Sequence, residues 1–377
     1  MPSSRWRENL PQPNKHPANL QPHLPPDACI PPLPSFPLPL PLPLRAFVSS
    51  CAHSSPLPFS PMRIGILGTD TSHVTAFAGA LNAHTPAKNP MLEGARITDA
   101  LPSFSPDIPS SASRHERFTH ELVSIHGVQL HETLSSMAEK VDAFIIHAID
   151  GRKHRQQFES LLPYGKPVFV DKPFAASLED AVAMFDAADS ARVPVFSSSL
   201  YRFRPSLLQL LASDVGRRLH VLSIGPCHVE PTHPDWLWYG IHPAEALFTV
   251  LGPRCLSLTR TQAEQADVLT GLWADGTIGT VLGLRAGPMP SGVTIHGEKG
   301  TISQRADAST AFGATDDYIP LIEAVVNFFR SGVPPVDREE TLALFGFLHA
   351  AQSDALSFGP VQLAPPASRA CSSPSTS

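Results

Sequence analysis

Between Met62 and Phe196 short apolar runs alternate with stretches whose apolar residues recur at helical spacing, and this rhythm restricts the fold more than any other feature. Arg63-Ile64-Gly65-Ile66-Leu67-Gly68 reads as a strand ending in glycine, followed by a polar turn and a helix carrying Val74, Phe77 and Leu81. Residues 95–101 form a second strand. Residues 141–148 are almost continuously apolar, as in a strand buried on both faces of a parallel sheet. The helix over 153–162 stops at Gly165, a left-handed cap position, and 168–170 returns to strand. Ser177 and Asp180 make a capping-box-like start for a helix whose Leu178, Val182 and Phe185 share one face, and 193–196 is again a strand. Strands alternating with helices predict an α/β, Rossmann-type doubly wound parallel sheet over 62–196. The Pro/Ser-rich connection after the second strand runs to about Arg114. It is too long for a tight turn and reads as a functional insertion.

Beyond residue 197 the strands come in turn-linked pairs. Asp275-Gly276 and Gly297-Glu298-Lys299-Gly300 each sit between short apolar runs and predict hairpins. With helices at 321–329 and 338–351, residues 197–364 are expected to form an α+β domain with a largely antiparallel open sheet. Each domain is expected to bury a core of its own. Residues 1–61 hold a large share of the 41 prolines and read as a Pro-rich disordered extension. Arg5, Arg7 and Arg45 leave a transit peptide open, and a start at Met62 is the simpler account. The Ser/Pro tail 365–377 reads as disordered too.

A formal net charge of -6 supplies no positive field, so nucleic acid and anionic membrane surfaces are not expected partners. The five cysteines include no C-x-x-C pair, which argues against a disulfide framework and fits a reducing, cytoplasmic setting.

A dinucleotide-binding turn needs G-x-G-x-x-G after its first strand. Here the run is Gly68-Thr69-Asp70-Thr71-Ser72-His73, with only the first glycine. Asp70 stands where a pyrophosphate would approach and competes with it for the helix N-terminus. Hydroxyls of Thr69, Thr71 and Ser72 offer donors to a phosphate, while simple capping of the helix explains Asp70, Thr71 or Ser72 equally well. Asp99 is the acidic candidate for ribose binding. The choice between NAD and NADP stays open.

Three stretches then combine: Val141-Asp142-Ala143-Phe144-Ile145-Ile146-His147, Asp150-Gly151-Arg152-Lys153-His154, and Gly165-Lys166-Pro167-Val168-Phe169-Val170-Asp171-Lys172-Pro173. Their order resembles the Gfo/Idh/MocA family of glucose-fructose oxidoreductases and inositol dehydrogenases, with a strand, an Asn-x-x-His turn, a helix, and Ala-Gly-Lys before Glu-Lys-Pro. Asp171 replaces the glutamate. Tyr201-Arg202-Phe203 and Gly240-Ile241-His242 continue the likeness, which runs from Met62 to about Leu363. The resemblance implies NAD or NADP as cofactor, a sugar- or polyol-like substrate, and homo-oligomers formed through the open face of the second sheet.

It also implies that Lys172 and His242 are catalytic, with Asp150 and His154 over the nicotinamide end of the crevice. Lys172 lies at the carboxyl end of a buried parallel strand, where such sheets bind ligands. Histidine suits proton transfer because its ordinary pKa is near neutrality. The family aspartate four residues before His242 is absent, and Trp238 stands there, which cannot accept a proton. Glu245 or Asp235 is expected to take over the orienting role. Arg202, Trp238, Tyr239 and Glu245 are the further candidates for the substrate pocket, though packing explains the aromatics as well. Two other readings remain: a non-catalytic ligand-binding protein of this fold, and a metal-dependent hydrolase or isomerase using His228, Glu230, His233 and His242.

Overall fold

The computed structural model describes residues 61–82, 89–304, 315–352 and 361–362. The Pro-rich extension up to residue 60 and the tail 365–377 lie outside them. The first sheet contains β1 (Met62–Leu67), β2 (Ala95–Leu101), β3 (Gln129–Leu130), β4 (Ala143–Ile146), β5 (Val168–Val170) and β6 (Val195–Ser197). Their order is β3-β2-β1-β4-β5-β6 and every pair is parallel, the doubly wound arrangement that the alternating pattern predicts. Phe144, Ile145 and Ile146 of β4 and Val168, Phe169 and Val170 of β5 are fully buried, which is why those runs do not alternate with polar residues. The strand expected over 141–148 is shorter because Val141 precedes the ladder and His147 and Ala148 follow it.

The connecting helices are α1 (Ser72–Asn82), α2 (Pro109–Ala112), α3 (His115–Ser124), α4 (Leu134–Ala138), α5 (Gly151–Leu161) and α6 (Leu178–Ala191). Ser177 caps α6 by accepting from the Asp180 amide at 3.0 Å. Helix α3 and strand β3 escape a sequence reading. Only Phe118 and Leu122 of α3 are buried, and both residues of β3 are exposed.

The second domain carries α7 (Pro205–Leu211), β7 (Arg218–Pro226), α8 (Asp235–Trp238), α9 (Ile241–Leu251), β8 (Cys255–Gln262), β9 (Ala266–Trp273), β10 (Ile278–Leu284), β11 (Gly292–Gly297), β12 (Gly300–Ser303), α10 (Thr315–Ser331), α11 (Arg338–Ala350) and β13 (Val361–Gln362). Its sheet runs β12-β11-β7-β10-β9-β8-β13, antiparallel except for the β7–β10 pair. The Asp275-Gly276 turn joins β9 to β10 as expected, with the Thr277 amide donating to Asp275 Oδ1 at 3.0 Å. Phe248 of α9 and Phe347 of α11 pack on Trp273 against one face of this sheet. None of the helices is long and apolar enough to cross a membrane, among the described residues.

The expectation of two separate cores needs correcting. Buried side chains form one continuous cluster from Ile64 to Ala351. Helix α10 closes the gap, for Phe328 packs edge-on against Phe196 of the first sheet at 4.8 Å, and Tyr318 lies 6.2 Å from Phe77. Under α8 sits a buried ionic knot: Asp267, fully inaccessible, accepts from Arg260 Nε at 3.0 Å and from Arg285 at 2.8 Å, and Asp235 contacts both arginines.

Replacing one member of such a knot leaves like charges desolvated together. Asp267→Ala is therefore expected to cost about 3 kcal/mol in urea unfolding at neutral pH, and a change below about 0.5 kcal/mol would show that Asp235 alone neutralises the pair.

Candidate active site

The carboxyl ends of β4 and β5 lie side by side, and each strand is followed by a titratable residue, His147 and Asp171. Asp171 Oδ2 accepts from His147 Nδ1 at 3.0 Å and from His73 Nδ1, on the first turn of α1, at 2.5 Å. Its Oδ1 accepts the Lys172 amide at 2.8 Å. Burial alone would raise the Asp171 carboxyl, but the charge of His73 and the bond to His147 hold it well below the ordinary carboxylate range. Burial pushes the His147 imidazole down, opposed by its bond to Asp171. His147 had no role in the sequence reading. The available signal was that two adjacent parallel strands each end in a titratable side chain.

Lys172 follows Asp171 directly, and the Lys172–Pro173 peptide is cis. The lysine is 8% exposed, with Nζ 5.2 Å from the centre of the Tyr239 ring. Tyr239 in turn meets His242 edge-on at 5.8 Å. His242 sits on the first turn of α9, where burial, then the charges of Lys172 and His73, push its pKa well below the usual histidine value. Lys172, His73 and His242 thus face one another within electrostatic reach.

The group that holds His242 is neither of the acids expected. Ser199 Oγ lies 2.6 Å from His242 Nδ1, leaving Nε2 as the other ring nitrogen to meet a ligand. Glu245 stands one step back: it accepts the Ser199 amide at 2.8 Å, the Ser198 hydroxyl and Arg202 Nε at 3.0 Å. Burial raises the Glu245 carboxyl, opposed by the Arg202 charge. Asp235 is committed to Arg260 and Arg285. Arg202 is buried between Glu245 and Glu340, so its guanidinium braces α9 and α11 and is not presented to a substrate.

The turn after β1 is covered by the chain itself. Gly68 has φ +88, and a Cβ there would lie 2.5 Å from the Ala148 amide nitrogen, so glycine is required. The Gly68 and Thr69 amides donate to Leu101 O and Ser103 O at 3.1 and 3.2 Å. Thr69 Oγ1 accepts from Thr119 at 2.7 Å. Asp70 is fully buried, taking the Ile149 amide at 3.0 Å and the Ser111 hydroxyl at 2.6 Å; burial raises its carboxyl, opposed first by Ser111. Thr71 Oγ1 accepts the His73 amide at 3.4 Å, the capping role, and Ser72 is exposed.

Across the crevice, Asp150 caps α5 through the Arg152 amide at 3.0 Å, takes the Ser105 hydroxyl at 2.6 Å and pairs with His233 at 3.2 Å. Burial works to raise its carboxyl, yet the His233 and Arg152 contacts hold it far below the ordinary range. Ile108, Ile149 and Trp238 form a small apolar cluster of their own, with Tyr239 against it. Trp238 therefore seals this segment and does not line an open pocket. His154 is fully buried, and both ring nitrogens meet backbone carbonyls, Pro173 O at 2.7 Å and Ala148 O at 2.6 Å. It pins two turns together and does not face a nicotinamide. Asp99 is spent on His131 at 2.7 Å, short of the strand end, and so does not present itself to a ribose.

The proposed metal quartet is dispersed: Glu230 accepts from Thr232 at 3.1 Å, His233 meets Asp150, His242 meets Ser199, and His228 packs on Tyr239. Among the described residues, the histidines and acids that converge are His73, His147 and Asp171.

A parallel six-stranded sheet with Lys172 at its carboxyl edge, beside a mostly antiparallel second sheet, is a dinucleotide-fold architecture of two domains. Residues 62–199 match the model of the Gfo/Idh/MocA oxidoreductase family, described as having an NAD-binding Rossmann fold. No curated protein sequence matches. Among solved structures, a putative myo-inositol dehydrogenase from Sinorhizobium meliloti shares 16% identity at TM-score 0.67, covering 80% of this chain and 100% of that one. A myo-inositol dehydrogenase from Lactobacillus casei, crystallised with NAD(H) and myo-inositol, shares 16% at 0.63 over 82% and 98%. The WlbA dehydrogenase from Chromobacterium violaceum, with NADH and UDP-GlcNAcA, shares 21% at 0.59 over 83% and 99%. These likenesses establish the fold.

The amides and carboxylate of the turn at Gly68 are taken up by Leu101, Ser103 and Ser111, and Ile108 lies in the covering segment. Ile108→Ser removes about 1.5 to 3 kcal/mol of apolar burial from the covered form without touching the turn. NADH affinity, followed by nicotinamide fluorescence, is expected to rise about tenfold or more, whereas an unchanged affinity would show that the segment is not in the cofactor's way.

Proposed function

We propose that this chain is an oxidoreductase that moves hydride between a nicotinamide dinucleotide and a small hydroxylated molecule of sugar or polyol type. The observation that carries this reading is that Lys172 and His242 meet the same Tyr239 ring, at 5.2 and 5.8 Å, at the carboxyl edge of the parallel sheet. The Lys172 ammonium donates a hydrogen bond to the substrate oxygen whose carbon changes oxidation state, and polarises it. His242 Nε2 accepts the hydroxyl proton in the oxidative direction and returns it in the reductive one. Ser199 keeps the ring oriented through Nδ1. The nicotinamide, when bound, supplies the hydride acceptor or donor. Near the outer end of β1 and β2 a cleft of about 370 Å³, walled by Leu67, Leu101, Leu134 and Gln157, has the apolar flanks that suit the flat adenine end.

A second reading, a ligand-binding protein of the same fold without redox chemistry, is favoured by the covered turn and the buried Asp70 carboxylate. Titration with NADH and NADPH separates the two: binding of neither at millimolar concentration supports the second. If the first holds, Lys172→Met lowers turnover by about 10²- to 10⁴-fold while dinucleotide affinity stays within a few-fold, and a variant of unchanged turnover would remove Lys172 from the reaction.

Self-association through the open face of the second sheet is part of the same proposal. Leu272 and Ile278 stand paired and exposed there, and Leu222, Ile224, Val268 and Leu282 lie half-buried on the neighbouring rungs. Light scattering is expected to give a dimer or larger mass that falls toward the monomer in Leu272→Lys. A wild-type monomer would exclude this interface.

A further inference from the structure

We propose that His73, His147 and Asp171 form a binding site for a divalent transition metal, open toward the cleft that Lys172 and His242 share. One ligand atom from each of the three residues lies within 4.8 Å of the others. They arrive from three separate elements, the first turn of α1 and the carboxyl ends of β4 and β5, so the donor set is positioned by the sheet and not by a loop. Two imidazoles and one carboxylate on one side of an ion is the open facial arrangement, which leaves positions for water or a ligand oxygen. Nitrogen donors exclude calcium and magnesium as the preferred ions and suit zinc, iron(II), cobalt or nickel.

Hydrogen bonding already draws the donor atoms of this trio together. Both imidazoles converge on a single oxygen, Asp171 Oδ2, at 2.5 and 3.0 Å. His147 is completely buried and meets the site through Nδ1. His73 stands at the place of the third glycine of a dinucleotide turn, where close helix packing is the usual requirement. Two ligands at about 2.1 Å from one ion lie roughly 3.0 to 3.5 Å apart, so admission of a metal requires His73 and Asp171 to part by less than about 1 Å. Asp171 is already held from behind by the Lys172 amide at 2.8 Å, and Tyr318 packs against the His73 ring at 4.9 Å, the kind of support that fixes metal ligands. The ligand class for the open positions is a small molecule with a hydroxyl or carboxylate oxygen, placed to meet Lys172 and His242 at its other end.

The test uses the full chain, freed of metal by a chelator and titrated with Co²⁺, which reports its own coordination by visible absorption. One equivalent is expected to bind with a low-symmetry d–d spectrum, to be displaced by Zn²⁺ and to raise the thermal midpoint. His73→Ala, at the partly exposed corner of the trio, is expected to weaken binding at least 100-fold while keeping the far-ultraviolet spectrum; His147→Leu, which removes a second donor, does the same. Co²⁺ binding that is absent, or that survives both substitutions, overturns the proposal. Metal binding is read without dinucleotide or substrate, so failure of NADH titration leaves its outcome untouched.

Discussion

The buried carboxylate of Asp171 is the constraint around which the cleft is built. One oxygen ties together the α1 turn and the end of β4 through His73 and His147, and the other holds the chain where Lys172 begins. A desolvated carboxylate is tolerated only while its donors stay in place. The relative position of three strand and helix ends is therefore set by electrostatics as much as by the apolar ladder behind them. Lys172 inherits its direction from this anchor, since the residue before it cannot turn without stranding a charge.

The same requirement explains why residues 102–114 fold as they do. Asp70 at the turn has no water to meet, so the chain supplies Ser111 and the Ile149 amide. Asp150 opposite is met by Ser105, Arg152 and His233. The insertion thus bridges two buried acids, and Ile108 seals it with Ile149 and Trp238. The aromatic residue in place of the family aspartate has its explanation here: an indole four residues before His242 fills the seal, and orientation of His242 passes to Ser199. Two departures from the family pattern, Asp70 and Trp238, belong to one rearrangement.

The parallel sheet, the hairpins and the position of Lys172 were legible in the sequence because each rests on a local signal: an apolar run buried on both faces, an Asp-Gly turn, a proline after a strand end. What escaped was non-local. Strand β3 has two exposed residues and no pattern, and α3 shows only one buried pair. His154 looked functional by its place in a motif, yet its ring is consumed by two backbone carbonyls that only folding brings near. Arg202 likewise finds Glu245 and Glu340, 43 and 138 residues away. Long-range pairing of buried charge leaves no periodicity to read.

That pairing also couples the two halves of the cleft. Glu245 sits on α9 one turn after His242, Arg202 joins it to Glu340 on α11, and Phe345 of α11 meets Phe174, between β5 and α6 of the first domain. Helix α10 adds Phe328 against Phe196 beneath the same strand ends. The apolar cluster is continuous through these contacts, so the two halves of the cleft share one packed core. The seal over the turn at Gly68 is small beside that core: Ile108, Ile149 and Trp238, with Tyr239 against them. The covering segment and the side chains around His242 therefore rest on separate packing, and the burial that lowers the His242 pKa belongs to the larger core.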